Sequence, residues 1–317
     1  MDAAKLGWYW DDVHLLHDTG RWHPESADRY QVLGDALVPA AENLGATRIQ
    51  RREINQAELL RCHTAEYLHI VKTDIAEGAD QLRTGDTQIS RDSGLAAAAA
   101  VGAGLAAVDQ VMRGELQRAF VAARPPGHHA TPDRGMGFCI YNTIALMARH
   151  AIATHPCRRV LIIDWDVHHG NGTQDCFYED GDVFFFSSHQ RGIYPGTGAK
   201  DETGAGPGAG TTMNLPLPAG TGVKPILDAI RGPVAAKMKK FKPDLVLISA
   251  GFDSRIDDPL GDFKLTDDDF ADLTRAICAI AGKHAQGRVI SVLEGGYNPA
   301  GLASASLAHF KAMREED

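Results

Sequence analysis

The chain has 317 residues, of which 44% are hydrophobic and 23% are charged, a balance typical of a folded globular protein with a large core. Acidic residues outnumber Lys and Arg by 41 to 32, which gives a formal net charge of -9. Because binding to phosphates needs concentrated positive charge, this balance argues against a nucleic-acid-binding protein.

The cysteines and the apolar runs narrow the class of protein further. The 5 cysteines form no C-x-x-C pair, which argues against a zinc ribbon and against a disulfide framework. The N-terminal segment is acidic and has no continuous apolar run, so we expect no secretory signal. The run of small residues at 95–112 is long enough to span a membrane, but Asp109, Gly102 and Gly104 favour a closely packed buried helix. We therefore expect no membrane association and a cytoplasmic location.

Short, nearly all-apolar runs alternate with helical patterns along the chain. Such runs are typical of parallel strands that are buried on both faces, and the alternation predicts an α/β fold with a mostly parallel central sheet flanked by helices. The predicted strands lie at 119–123, 159–164, 182–187, 244–249 and 288–293, and the predicted helices at 94–113, 142–155, 225–241 and 267–284. The Gly- and Pro-rich stretch at 196–222 is predicted to be a long surface loop. We expect residues 1–317 to form a single domain.

A polar cluster follows or ends each predicted strand. In chain order these clusters are RPPGHH (124–129), DWDVHHGNG (164–172), SSH (187–189), SAGFD (249–253) and EGGYN (294–298). Ligands of open α/β sheets bind at the carboxyl ends of the strands. The sequence therefore predicts one functional site at that edge of the sheet.

Three residues of these clusters are candidate metal ligands. In an extended segment, residues two apart project to the same face, so Asp166 and His168 point together, and Asp253 is available from another strand end. Two carboxylates and one imidazole suit zinc and leave a position open for water and substrate. Hydrogen bonding within a loop is the alternative, and it would be favoured if the D-x-H pattern stood alone.

The adjacent pair His128 and His129 is available for proton transfer, since an imidazole titrates near neutral pH. A carboxylate such as Asp164 would hold one histidine charged, and an amide such as Asn171 would leave the other free to titrate. Tyr297 follows a Gly-Gly turn, where a phenol could donate to the oxyanion of a tetrahedral intermediate. The alternative is that these rings only pack in the core.

The motifs resemble those of one known family. In the order and spacing RPPGHH, GFCIYN, DWDVHHGNGTQ, SSH, YPGTG, SAGFD, DPLG and EGGYN, they are similar to the histone deacetylases, above all to class II and to the bacterial histone deacetylase-like amidohydrolases. The resemblance extends from about Gly20 to about Leu302. It implies the arginase–deacetylase fold and a zinc-dependent amidohydrolase that removes an acyl group, most often acetyl, from a lysine side chain or a similar amine.

The resemblance also implies roles for single residues. Zinc would be bound by Asp166, His168 and Asp253. His129 would act as general base and then general acid, His128 with Asp164 would stabilise charge, and Tyr297 would polarise the acyl carbonyl, with Asn171 as the partner of a catalytic histidine. An inner potassium site is implied at Asp164, Asp166, His168, Ser187 and Ser188. The substrate channel would be lined by Gly137, Phe138, Tyr194 and Leu260, with Asp86 at its rim.

Two departures from the family pattern bear on the substrate. Tyr194 stands where many members carry Phe, and Leu260 stands where polyamine-specialised relatives place an acidic residue, which favours acyl-lysine proteins or peptides over small acylated amines. Acidic residues near the candidate rim loops would instead favour cationic amines: Asp18, Glu25, Glu202, Asp257 and Asp258.

Several alternatives stay open. An acetylpolyamine amidohydrolase is the nearest one, while an arginase-like dimanganese hydrolase and a catalytically silent metal- or acyl-binding module are less favoured. Iron(II) could occupy the zinc ligands, and an oligomeric assembly is left open.

Overall fold

The central feature of the computed structural model, which describes residues 4–315, is one eight-stranded sheet. Its strands are β1 (Leu6–Tyr9), β2 (Thr47–Arg48), β3 (Arg118–Val121), β4 (Val160–Asp164), β5 (Val183–Gln190), β6 (Thr212–Leu217), β7 (Leu245–Ala250) and β8 (Val289–Leu293). They lie in the order β2-β1-β3-β8-β7-β4-β5-β6, and all seven pairings are parallel. The predicted α/β fold with a mostly parallel sheet is confirmed.

Ten α-helices accompany the sheet in the described part of the chain: α1 (Ala27–Asn43), α2 (Gln56–Leu59), α3 (Ala65–Ala76), α4 (Ser93–Met112), α5 (Thr143–Thr154), α6 (Asn171–Phe177), α7 (Lys224–Ala229), α8 (Ala235–Phe241), α9 (Asp267–His284) and α10 (Pro299–Ala312). Short 3-10 helices lie at Asp12–Leu16 and Gly206–Gly208. Between α7 and α8 the chain makes a π-helical turn, Ile230–Val234.

Alternate residues of the central strands pack on opposite faces of the sheet. In β4, Leu161 and Ile163 join a core that includes residues of α1, α9 and α10, whereas Val160 and Ile162 join a core that includes residues of α4 and α5. Helices therefore cover both faces. This explains why the strand sequences read as continuous apolar runs and not as an alternation of apolar and polar residues.

The five predicted strands correspond to β3, β4, β5, β7 and β8, which are neighbours in the sheet. The three strands that were not predicted lie outside them. The prediction of a surface loop at 196–222 is wrong for β6, which pairs with β5 within that stretch. Pro216 and the half-buried residues of this edge strand hide the apolar signal that a central strand gives.

Three predicted helices match α4, α5 and α9 closely. The fourth, at 225–241, is interrupted by the π-helical turn that contains Pro233, since proline lacks the N–H that continues an α-helical hydrogen-bond ladder. Helices α1, α2, α3, α6 and α10 were not predicted. In α1, Gly34 and Pro39 lie within the helix and weaken its sequence pattern.

Helix α4 is long and apolar enough to cross a membrane by composition alone, but 78% of its apolar window is buried inside the protein. A Cβ atom at Gly102 would overlap the backbone carbonyl of Arg52, and one at Gly104 would press on Met147. The two glycines therefore let neighbouring segments approach α4 closely. The interpretation of this run as a packed core helix is confirmed.

Candidate active site

Four adjacent strands deliver the candidate residues to one edge of the sheet. His128 and His129 follow β3, Tyr297 follows β8, Asp253 follows β7, and Asp166 and His168 follow β4. Because all these strands are parallel, their carboxyl ends lie at the same edge, which is where a ligand site of an α/β sheet forms. The predicted convergence of the strand-end clusters is what the structure shows.

The three predicted metal ligands are brought together and buried. Their donor atoms all lie within 4.8 Å of one another. The Nδ1 atom of His168 lies 3.0 Å from Oδ1 of Asp166 and 3.1 Å from Oδ2 of Asp253. The remaining carboxylate oxygens accept backbone N–H groups, from Gly295 to Asp166 at 2.9 Å and from Val167 to Asp253 at 2.8 Å. These backbone donors fix the carboxylates in place.

The charges at this group favour a cation. Burial lowers the pKa of His168, but its hydrogen bonds to Asp166 and Asp253 outweigh burial and raise the pKa to about 10. Burial, together with the charge of Asp166, raises the pKa of Asp253 to about 7. The two buried carboxylates thus hold a positive charge beside them, and a divalent ion that displaces the His168 proton would take the same place.

His128 is held in its charged form. Its Nδ1 lies 2.9 Å from Oδ2 of Asp164, and its Nε2 lies 3.8 Å from Oδ2 of Asp166. Burial lowers the pKa of His128, but the charges of Asp164, Asp166 and Glu294 outweigh it and keep the pKa well above its ordinary value. His128 is therefore an imidazolium beside the candidate metal ligands.

His129 is held in its neutral form with a defined tautomer. Its Nδ1 lies 2.8 Å from Oδ1 of Asn171, and the amide nitrogen of Asn171 points instead to the His129 carbonyl and the Met136 sulfur. Nδ1 of His129 therefore donates to the amide oxygen, which leaves Nε2 unprotonated. Burial, followed by the positive charges of His128 and His168, holds the pKa of His129 well below its ordinary value.

Tyr297 is positioned by the buried Arg29. The guanidinium lies 5.2 Å from the centre of the Tyr297 ring and donates to the carbonyls of Glu294 and Gly296, at 3.0 and 3.1 Å. The edge of the ring meets Phe138. Burial and the charge of Asp253 raise the pKa of Tyr297 well above its ordinary value, so its hydroxyl stays protonated and can donate a hydrogen bond.

A cavity of about 290 Å³ opens over these groups. Its lining contains all five residues that were predicted for the substrate channel, together with His129, His168, Ile193 and Tyr297: Asp86, Gly137, Phe138, Tyr194 and Leu260. Ile193 was not singled out in the sequence. A cavity of this size with apolar walls and a polar floor fits a small or slender group rather than a folded surface.

The cavity wall depends on an uncommon backbone conformation at two consecutive residues. Gly137 has a φ of 55° and Phe138 a φ of 68°, which is rare for a bulky side chain. A Cβ atom at position 137 would overlap the rings of His129 and Tyr194. Only glycine therefore fits there, and the turn sets the Phe138 ring against both Tyr297 and His23.

Three residues of the predicted inner potassium site lie where β4 and β5 pair: Asp164, Ser187 and Ser188. Asp164 lies opposite Ser187 in the strand register, and both are fully buried. The Oγ of Ser187 lies 2.9 Å from Nδ1 of His189. The buried Oγ of Ser188 has no hydrogen-bond partner among residues 4–315.

Two groups of supporting residues were not recognised in the sequence. Glu294 accepts the backbone N–H groups of Gly127 and His128, at 2.7 and 3.1 Å, and the hydroxyl of Ser249 at 2.9 Å. It thereby ties the clusters after β3, β7 and β8 together. Glu294 and Arg124 both belong to motifs that were noted, but a motif does not show which of its residues is buried.

The second group is a buried ion-pair network around Glu25. Arg124 donates to Glu25 at 2.7 and 2.8 Å, and Arg29 donates to it at 3.1 and 3.2 Å. Glu25 has no solvent exposure. The expectation that Glu25 favours cationic amines at the rim is therefore wrong, because its charge is already neutralised inside the protein.

The other predicted rim acids differ in their exposure. Asp258 is buried and accepts the backbone N–H groups of Tyr297, Asn298 and Leu260. The expectation that it is an acidic residue of the cavity rim is therefore also wrong. Asp18 and Asp257 are exposed, and Glu202 is partly buried.

A further cluster of metal-ligand types, Asp109, His150 and His155, lies at α4 and the end of α5. Both imidazole Nε2 atoms lie 2.7 Å from Oδ1 of Asp109. Arg61 lies 2.9 Å from Nδ1 of His150, and since a guanidinium can only donate, the proton of His150 sits on Nε2. A metal bound at Nε2 would shift the proton to Nδ1, where it would face the Arg61 guanidinium, which can only donate. The cluster is therefore a hydrogen-bonded group.

Comparison with known proteins agrees with this fold and site. The family described as the histone deacetylase domain matches residues 23–313. Histone deacetylase 10, chloroplastic, of Oryza sativa subsp. japonica is 37% identical over 328 residues, which cover 96% of this chain and 74% of that protein. The histone deacetylase-like amidohydrolase of Pseudomonas aeruginosa is 38% identical, over 82% of this chain and 70% of that protein. The crystal structure of the HDA15 HD domain superposes with a TM-score of 0.91 and 34% identity, over 98% of this chain and 88% of that one.

The fold and the site define a parallel α/β protein with a buried polar centre at the floor of a narrow cavity. The chain belongs to the histone deacetylase family, and the arginase–deacetylase fold that the sequence motifs predicted is confirmed. Its activity is accordingly that of a histone deacetylase-like deacetylase of the amidohydrolase type.

Proposed function

We propose that this protein is a zinc-dependent deacylase that hydrolyses the N-acyl amide, above all N-acetyl, of lysine side chains. The observation that carries the proposal is the narrow cavity in which His168, His129 and Tyr297 meet. We take residues 1–317 as a single catalytic domain, because the site residues come from strands of one sheet. A cytoplasmic location stays a prediction, and the rice relative is named as chloroplastic.

Asp166, His168 and Asp253 would hold the zinc ion. Their buried, negatively charged donor set fits it, as do the backbone N–H groups that fix both carboxylates. When bound, zinc would lower the pKa of water from about 15.7 toward about 7 and polarise the acyl carbonyl. Three protein ligands leave the remaining position open, as in catalytic zinc sites.

The protein's own groups divide the proton transfers among them. The unprotonated Nε2 of His129 accepts a proton from the attacking water and then gives it to the leaving amine, which makes His129 general base and general acid. The tautomer is set by Asn171. His128, held as an imidazolium by Asp164, stabilises the negative charge that develops beside it.

Tyr297 donates its hydroxyl hydrogen to the oxygen of the acyl carbonyl as that oxygen becomes negative. A donor that is already in place when charge develops stabilises the transition state more than the ground state. Arg29 keeps the ring in position through its contacts with the backbone on both sides of Gly295.

The cavity walls favour an acyl-lysine over an acylated polyamine. Phe138 and Leu260 present apolar surface to the aliphatic stem of the substrate, and two of the predicted rim acids, Glu25 and Asp258, are buried and paired. Asp86 lies at the cavity wall with the side chain of Tyr194, where it can accept an amide hydrogen of a peptide. Exposed Asp18 and Asp257 keep an acetylpolyamine amidohydrolase as the second candidate.

We also propose a structural potassium ion between β4 and β5. Asp164, Asp166, His168, Ser187 and Ser188 would hold it through side-chain and backbone oxygens. The fully buried carboxylate of Asp164, which lies opposite Ser187 in the strand register, supports this assignment, since a buried charge calls for a counter-charge. Such an ion would keep Asp164 in place behind His128.

The experiment that tests the proposal compares acetate release from an acetyl-lysine peptide with that from N-acetylputrescine, using zinc-loaded protein. We expect kcat/KM on the peptide to exceed that on the polyamine at least about tenfold, or about 1.4 kcal/mol. The reverse preference would make the protein an acetylpolyamine amidohydrolase. Tight binding of the peptide with no acetate release would indicate a catalytically silent acyl-binding module.

A further inference from the structure

Two cysteines that are far apart in the chain lie in direct contact outside the active site. The Sγ atoms of Cys62 and Cys176 are 2.9 Å apart, across a separation of 114 residues. A disulfide bond has an S–S distance of about 2.05 Å, so these sulfurs need to close by less than about 1 Å. Both residues are partly exposed, whereas Cys139, Cys157 and Cys278 are buried.

Both cysteines sit in segments that hydrogen bonds tie to His129 or to residues close to it in the chain. Cys62 follows α2, and the next residue, His63, donates from Nδ1 to the carbonyl of Thr131 and accepts the N–H of Asn142 at Nε2, each at 3.0 Å. Cys176 lies in α6, whose first residue is the Asn171 that holds His129.

Arg149 anchors the end of α6. Its guanidinium donates to the carbonyl of Cys176 at 2.9 Å and stacks on the ring of Phe177 at 4.6 Å. Neighbouring contacts therefore hold both segments close together, and the two sulfurs need only a small movement to form a bond.

We propose that Cys62 and Cys176 are a redox-active pair that forms a reversible intramolecular disulfide, and that this bond stabilises the folded enzyme. A crosslink between segments this far apart constrains the unfolded chain strongly, and the stabilisation grows with the length of the closed loop. The bond joins segments that already lie in their active positions, so the oxidised enzyme keeps its turnover.

The oxidant is a small disulfide such as glutathione disulfide. The Cys62 thiolate attacks one of its sulfurs, which forms a mixed disulfide and releases one glutathione thiolate. The Cys176 thiolate then attacks the Cys62 sulfur and releases the second glutathione. Two protein thiols lose two electrons and two protons in total, and one glutathione disulfide becomes two glutathione thiols. The hydrogen bond with Cys62 and burial raise the pKa of Cys176 well above its ordinary value.

The test treats the full chain with glutathione disulfide, blocks the remaining thiols by alkylation, and measures the intact mass and the peptide map. We expect the loss of two hydrogens per chain, a crosslinked pair of peptides that carry Cys62 and Cys176, and reversal by dithiothreitol. Oxidation should raise Tm by several degrees in the wild type and in Cys157→Ala, which removes a buried thiol. It should leave Tm unchanged in Cys62→Ser and in Cys176→Ser.

Three results would overturn the proposal: an unchanged thiol count, stable glutathione adducts at both cysteines, or disulfides between two chains. A crosslinked protein with unchanged Tm, or with turnover reduced more than about twofold, would overturn the stabilising role. The thiol measurements need no catalytic activity, so they fail or succeed independently of the proposed deacylase function.

Discussion

The hydroxyl of Tyr194 donates a hydrogen bond to Oδ1 of Asp86 across the wall of the site cavity, at 3.3 Å. The same oxygen accepts the backbone N–H of Gly137 at 2.7 Å. Asp86 thereby links the loop that carries Tyr194 to the strained turn at Gly137 and Phe138. A phenylalanine at position 194 could not make this link, because it has no hydroxyl.

The Asp86 link predicts graded effects on peptide binding. Tyr194→Phe removes one hydrogen bond, worth about 0.5–1.5 kcal/mol, and should raise KM for an acetyl-lysine peptide about twofold to tenfold. Asp86→Ala also leaves the Gly137 N–H without its partner and should raise KM further, with kcat changed less than KM in both variants. Steady-state kinetics on one peptide measure this, and a larger effect of Tyr194→Phe than of Asp86→Ala would contradict the account.

Tyr297→Phe removes the proposed donor to the carbonyl oxygen and keeps the ring. Loss of one such donor typically lowers kcat by about 10²–10³-fold, and we expect that loss with an unchanged zinc content. The matched control is Tyr178→Phe, a tyrosine outside the cavity lining, which should keep full activity. Wild-type turnover by Tyr297→Phe would remove Tyr297 from the mechanism.

Asn171→Asp places a carboxylate beside Nδ1 of His129 and should change the dependence of kcat/KM on pH. Burial and neighbouring positive charges now hold the pKa of His129 well below its ordinary value, so the base is unprotonated at neutral pH. A carboxylate stabilises the imidazolium and raises that pKa. The acid limb of kcat/KM should therefore move to higher pH in Asn171→Asp.

Asn171→Ala is the uncharged control for that experiment. It should lower activity, because the ring loses its orienting partner, but it should not move the acid limb upward. An acid limb at the same pH in wild type and Asn171→Asp would show that His129 is not the base that the profile reports.

Glu25→Gln should destabilise the fold by about 3–5 kcal/mol, because it leaves two buried arginines without their counter-charge. Burial raises the pKa of Glu25, but the charges of Arg124 and Arg29 outweigh it and hold the pKa well below its ordinary value. A lowered pKa contributes stability above the unfolded-state pKa, near about 4.3, and loses it as pH falls through the folded-state pKa.

The stability difference between wild type and Glu25→Gln should therefore be constant above about pH 5 and shrink as the pH falls below about 4.3. Urea unfolding at several pH values measures it. The exposed Glu42→Gln is the control and should change the free energy of unfolding by less than about 0.5 kcal/mol. An equal effect of the two substitutions would contradict the buried network.

The sequence predicted the centre of this molecule better than its periphery. The strands β3, β4, β5, β7 and β8 are buried on both faces, so their apolar runs are unmistakable, and the polar residues that end them mark the site. β6 is an edge strand with Pro216, and α1 contains Gly34 and Pro39, so neither gives a clean periodic pattern.

Within the site, residue types and spacing predicted which candidate metal ligands come together but not the residues that support them. The sequence predicts a surface acid at Glu25, because nothing near it in the chain shows that Arg124, 99 residues away, contacts it. The partners of His128 and His129 could be proposed from chemistry, whereas their tautomer and charge depend on hydrogen-bond geometry that only the folded chain defines.

The measurement that tests the central claim most directly is zinc content together with acetyl-lysine peptide hydrolysis, before and after chelation and return of zinc. It should be made on the wild type, on Asp253→Asn and on Asp109→Asn, which alters the other Asp–His cluster. We predict about one zinc per chain in the wild type and in Asp109→Asn, with activity that is lost on chelation and restored by zinc. Asp253→Asn should lose both. Full hydrolysis by metal-free protein, or zinc that is lost from Asp109→Asn and kept in Asp253→Asn, would contradict the account.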